Sequence, residues 1–105
     1  MKNIEITNIE LLDEKEKNIA EKLFQEYYNK IQRQIKNKEA VLKIDIEVYN
    51  KGGKRKKYDI AIKIEFATNV FKAKAFDWDF ARAVHKVMEK LVTEIEHKFH
   101  VSEQK

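Results

Sequence analysis

Two strictly alternating runs, one on each side of a Gly-Gly pair, constrain this chain more than any other feature. Leu42, Ile44, Ile46 and Val48 alternate with Lys43, Asp45, Glu47 and Tyr49. Past Gly52-Gly53, Tyr58, Ile60, Ile62, Ile64 and Phe66 alternate with Asp59, Ala61, Lys63 and Glu65. A period of two gives each run one apolar side, and adjacent glycines supply the positive φ of a tight turn. The segment reads as a β-hairpin with one face to bury. What buries it must come from the rest of the chain.

Before the hairpin, Ile4 and Ile6 alternate with Asn3, Glu5 and Thr7, which predicts a short first strand. Asp13 can cap a helix, and Glu16 completes a reciprocal capping box three residues later. Ile19, Ala20, Leu23, Phe24, Tyr27, Ile31 and Ile35 then follow helical spacing to about Asn37. After the hairpin, Ala67-Thr68-Asn69 turns the chain into a third antiparallel run, with Phe71, Ala73 and Ala75 inward and Lys72 and Lys74 outward. Asp77 or Asp79 caps a last helix whose stripe is Phe80, Ala83, Val84, Val87, Met88, Leu91, Ile95 and Phe99. The order is βαβββα. A strand, crossover helix and strand favour a right-handed parallel pair, and the later connections are short enough for hairpins. The fold expected is α+β, a four-stranded sheet with two helices packed on one face.

At 105 residues the chain is long enough for one core, so residues 1–105 are expected to form a single domain with an ordered core of about 2–100. Hydrophobic residues at 43% exclude a fully disordered chain. The absence of cysteine removes disulfides and thiolate chemistry and fits a reducing compartment. No apolar stretch approaches the roughly 20 residues of a membrane span, and the N-terminus does not read as a secretion signal. A cytoplasmic protein is expected.

The charge is localised. Lys51, Lys54, Arg55, Lys56 and Lys57 surround the Gly-Gly turn, and taking these five from a net charge of +4 leaves a body at −1. A cationic hairpin tip suits phosphate better than packing; the plainer reading is a solvated tip that keeps sheet edges soluble. At roughly 100° per residue, Lys15, Lys22, Asn29, Arg33 and Lys36 fall on one line of the first helix. Arg82, Lys86, Lys90, Thr93 and His97 make a second line on the last. Glu14, Glu21, Glu26, Glu89 and Glu96 lie nearby, so this surface is not purely positive. The outward sheet residues carry five acids (Glu5, Asp45, Glu47, Asp59, Glu65) and four bases (Lys43, Lys63, Lys72, Lys74), a mixture suited to cross-strand pairing. Tyr49 is the one aromatic expected on that face, too little to stack single-stranded bases. Backbone tracking of structured RNA by the helices and loop fits better.

No catalytic constellation is apparent. His97 and His100 are three apart and could share a metal, but neither a cysteine nor a carboxylate pair completes a site. Gly52-Gly53 precedes a strand, not a helix, so it is no phosphate-binding fingerprint. Asp77-Trp78-Asp79 could be two catalytic carboxylates beside an aromatic. The plainer reading is a helix cap with Trp78 closing the end of the core.

With the elements placed, the sequence resembles the ribosome hibernation-promoting factor and protein Y family, in its short form. Ile4-Glu5-Ile6-Thr7 and Asn8-Ile9-Glu10-Leu11 resemble the family's first strand and the lead into its first helix. Lys22-Leu23 with Tyr27-Tyr28 resembles its Lys-Leu and aromatic pattern. Tyr58-Asp59-Ile60-Ala61-Ile62 and Phe71-Lys72-Ala73-Lys74-Ala75 match its later strands, and Asp79, Ala83-Val84 and Lys90-Leu91 its last helix. The family places further bases after Lys-Leu; here the chain reads Val92-Thr93-Glu94-Ile95-Glu96 and keeps only Lys98.

The resemblance implies a non-catalytic factor that occupies the decoding channel of the small ribosomal subunit, contacts rRNA and blocks translation in dormancy or stress. Carried over by position, the contacts fall on Lys22, Lys86 and Lys90, with Arg82 beside them. Together with the charge pattern, the RNA-binding residues expected are Lys15, Lys22, Arg33, Lys36, Lys51, Lys54, Arg55, Lys56, Lys57, Arg82, Lys86 and Lys90. The small subunit is the expected partner of a monomeric protein, with no cofactor, metal, membrane or small-molecule substrate. Long family members carry a second domain that pairs ribosomes; within these 105 residues none is expected, so ribosome pairing by this chain alone is not expected either. Two other readings stay open. One is a general double-stranded RNA-binding module; the other is a protein-interaction domain whose cations are incidental.

Overall fold

The computed structural model describes residues 3–53 and 55–103, with backbone only for Lys51 and residues 99–103. The alternating runs form the centre of the sheet. Strand β1 (Ile4–Thr7) pairs parallel with β2 (Val41–Lys51), which pairs antiparallel with β3 (Arg55–Phe66), and β3 with β4 (Asn69–Asp77). Chain order is also sheet order, β1-β2-β3-β4. The β2–β3 ladder closes with Lys51 opposite Arg55. Gly52 and Gly53 have φ of +60° and +79°, with nothing within 4 Å of where a Cβ would stand. Backbone conformation, not lack of space, is what requires glycine there.

Helix α1 (Glu14–Ile35) starts as the sequence requires: Asp13 accepts from the Glu16 amide at 2.8 Å, and Glu16 accepts from the Asp13 amide at 3.0 Å. It ends at Lys36, which adopts a left-handed φ of 54°. Helix α2 (Phe80–Glu103) is capped by Asp79, which accepts from the Arg82 amide at 2.9 Å. Both helices cover one face. Leu42, Ile44 and Ile46 of β2 and Ile60, Ile62 and Ile64 of β3 are buried with Phe24 and Ile31 of α1 and Val87, Met88 and Leu91 of α2. Each such side chain contributes about 1.5–3 kcal/mol, and truncating Phe24 to alanine would cost about 3–5 kcal/mol.

Tyrosine hydroxyls tie the layers at their ends. Tyr28 donates to the Ala40 carbonyl at 2.7 Å, joining α1 to the entry of β2. Tyr58 donates to Glu16, joining β3 to the start of α1, and its ring meets Phe80 edge-on at 5.4 Å. Burial, then the neighbouring Glu16 carboxylate, raises the Tyr58 hydroxyl well above its ordinary pKa, so it stays a donor. The α+β arrangement expected from the sequence is the one observed.

Candidate nucleic-acid interface

The cations of α1 stand in water. Lys15, Lys22, Arg33 and Lys36 are exposed, on the side opposite buried Ala20, Phe24, Tyr28 and Ile31. None of the four forms an ion pair among the described residues; the one pair on this helix joins Lys17 to Glu14 at 3.8 Å. Such side chains can meet a polyanion without first giving up a partner.

The cations of α2 are placed differently. Lys86 Nζ lies 3.0 Å from Asp77 Oδ2 and donates to the Phe76 carbonyl at 3.1 Å. Lys90 Nζ donates to the Lys74 carbonyl at 2.8 Å, and Arg82 Nε lies 3.4 Å from Asp77 Oδ1. Asp77 also accepts from the Asp79 amide at 3.0 Å. That amide bond, followed by the Lys86 ammonium, holds the Asp77 carboxyl at about 2. Helix α2 is thus bolted to β4 through its basic line. Between them runs an open groove of 1310 Å³ whose cations are Lys72, Lys74, Arg82, Lys86 and Lys90, rimmed by Asp59, Glu89 and Glu94.

The opposite flank of α2 faces α1. Tyr27 donates to Glu89 at 3.0 Å and lies 2.8 Å from His85 Nδ1, while Gln34 donates to Glu96 at 3.3 Å. A hydroxyl has one proton, so with that proton on Glu89 the Tyr27 oxygen accepts from His85. Burial and then Glu89 push the Tyr27 hydroxyl up to about 12. The two basic lines therefore sit on different flanks of the helical layer, parted by this polar seam. They do not merge into one strip.

The uncovered sheet face is mixed in charge, as its alternation implied. Glu65 pairs with Lys63 at 3.1 Å and Lys43 at 3.6 Å, and the Lys63 hydrogen bond leads in lowering its pKa. Two expectations about aromatics fail. Strand β4 runs to Asp77 because its register with β3 continues to Tyr58, so Phe76, opposite Asp59, faces outward. Trp78 does not close the core; it is exposed, with the Arg55 guanidinium 4.4 Å from its ring centre. The outer face thus carries Tyr49, Phe76 and Trp78 near the hairpin, not Tyr49 alone. Lys57 lies 4.4 Å from the centre of Phe76 and 5.9 Å from that of Tyr49. Of the hairpin cations, Arg55 and Lys57 rest on rings and Lys56 is exposed; Lys54 and the Lys51 side chain lie outside the described residues. His97 is exposed, the His100 side chain is not described, and no cluster of three or more metal-ligating side chains occurs among the described residues.

No protein-family model matches this chain, and no curated protein does. Among solved structures, the crystal structure of the Thermus thermophilus Protein Y N-terminal domain matches with a TM-score of 0.56 at 14% sequence identity. The match covers 90% of this chain and 92% of that one. The chain has the fold of the Protein Y N-terminal domain, the fold that its sequence motifs implied.

Proposed function

We propose that this protein is a ribosome-associated factor that binds small-subunit rRNA in the decoding channel and inhibits translation without catalysis. The fold shared with the Protein Y N-terminal domain over nearly the whole chain carries this reading. The short motifs that resemble the hibernation-factor family, in the family's own order, support it. So does the row of cations on α1, unpaired among the described residues, which offers phosphates Lys15, Lys22, Arg33 and Lys36 in one line. The α2 line and the hairpin add further positive charge, Lys86 and Lys90 along the groove beside β4. On this reading the protein acts in the cytoplasm as a monomer and needs no cofactor. No helix among the described residues is long and apolar enough to cross a membrane.

Sedimentation of purified protein with separated ribosomal subunits tests the proposal. Co-sedimentation with the small subunit alone is expected, weakening steeply with salt as phosphate contacts release counterions. Six contacts would give a slope of roughly −4 to −5 in log affinity against log salt. Equal affinity for both subunits and for a plain duplex of roughly 16 base pairs would instead mark a general double-stranded RNA module. Absence of RNA binding at low salt would leave a protein-interaction domain.

A further inference from the structure

The three outward aromatics form a pattern that backbone binding by the helices does not use. Tyr49, Phe76 and Trp78 are 41%, 49% and 43% exposed, high values for large rings at one end of a sheet. They are interleaved with cations: Lys57 lies between Tyr49 and Phe76, and Arg55 lies over Trp78. In the ladder Tyr49 of β2 sits opposite Lys57 and Phe76 of β4 opposite Asp59, so the cations of β3 stand between a ring on β2 and the rings at and just past the end of β4. An exposed ring alone means little, and a dry apolar patch would suggest a protein partner. Here lysine and arginine stand among the rings, whereas the buried centre of a protein interface is depleted of lysine. Flat rings for stacking beside cations for phosphate are what a flexible nucleic acid strand requires.

We infer that Tyr49, Phe76 and Trp78, with Arg55 and Lys57, form a platform that stacks unpaired bases of single-stranded RNA. This surface adjoins α2 at the β4 edge, where Phe76 and Asp59 also line the groove and Lys86 lies 5.7 Å from the Phe76 ring centre, but it takes no residue of α1. Base stacking on it goes beyond the backbone contacts proposed above and does not depend on the ribosome being the partner. Bases in a duplex are already stacked on one another and cannot reach the rings, so the platform selects single strands. Asp59 sits opposite Phe76, and its carboxylate forms no hydrogen bond or ion pair among the described residues. Its carboxylate accepts from amino groups on base edges and is repelled by carbonyl oxygens, which favours adenine over uracil.

Trp78 is the chain's one tryptophan, so its emission reports the site directly. Wild-type protein is titrated at low salt with an octamer of adenylate, an abasic octamer carrying the same phosphates, oligouridylate, and a duplex. Saturable quenching by the adenylate octamer is expected, with weaker binding of the uridylate, abasic and duplex ligands. Phe76→Leu and Trp78→Leu, followed by anisotropy of the labelled octamer, should each weaken binding roughly 5- to 150-fold, the range for losing one stacked base. Phe76→Tyr should restore it. Equal binding of the abasic octamer without quenching would overturn the platform and leave a phosphate site only. Failure of every oligonucleotide to bind, with a protein partner lost in the same variants, would make the patch a protein interface. Small-subunit binding lost in α1 variants while octamer quenching persists would separate this site from the proposed function.

Discussion

The two helices carry basic lines of similar composition at similar spacing, yet the lines are in different physical states. On α1 the charges face solvent and make no ion pair among the described residues; on α2 they anchor the helix to β4 through Asp77 and two carbonyls. A free cation adds to binding and little to folding. An anchored one does both, and a phosphate that recruits it competes with a bond already made. Equal charge therefore does not mean equal function.

The sharpest way to break this comparison is to reverse charge on α1. Lys22→Glu with Arg33→Glu should remove two phosphate contacts and flatten the salt slope for small-subunit binding by roughly 1.4 to 1.8, at about 0.7 to 0.9 each. Folding stability should move by no more than about 0.5 kcal/mol. An unchanged slope would remove α1 from the interface.

Among changes in stability, Asp77→Asn should rank first, since one carboxylate serves an amide, a lysine and an arginine. Its folded pKa of about 2 lies below the ordinary 3.8. The stabilisation is therefore full above the ordinary value and is lost as pH falls from there towards 2. Denaturant midpoints measured down that range should fall in the wild type and fall less in the variant. Identical acid limbs would mean the Asp77 cluster is not formed in solution.

Lys86→Met and Lys90→Met sharpen the contrast. Each should cost about 0.5–1 kcal/mol, as expected for a hydrogen bond at an exposed site. In a domain of this size that corresponds to a melting shift of roughly 2 to 8 °C. Each should also flatten the salt slope if the ammonium reaches RNA. A fall in melting temperature with no change in slope would make the α2 line purely structural. The hairpin variants come last, and Lys56→Gln should have the smallest effect of all. Arg55→Gln and Lys57→Gln should each lose a cation–ring contact of about 0.5–1 kcal/mol, whereas Lys56→Gln should stay within about 0.5 kcal/mol. Equal melting temperatures for all three would mean the rings do not hold the tip.

The fold was legible because its signals are local. Asp13 and Glu16 announce a helix start, and Leu42 to Phe66 alternate without interruption about a glycine turn. The site was legible only in part, since periodicity gives the direction of a side chain but not what waits there. Lys86 and Lys90 fall on the expected line, yet nothing local says that the line meets the edge of β4. The outer aromatics were missed for a related reason. Phe76 follows the apparent end of an alternating run, and Trp78 sits between two acids that look like a cap. Their orientation is fixed by a ladder to Tyr58 and Asp59 and by Arg55, residues distant in sequence.

One consequence of the α2 anchoring concerns other copies of this chain. Strand β4 ends the sheet, and an open strand edge is a template on which a second chain can add its own strand. The Lys74 and Phe76 carbonyls are two residues apart, and both already accept from ammonium groups. An incoming strand would have to displace two charged donors and bring its backbone against them. The same lysines that fasten the helix thus raise the cost of adding a strand along β4.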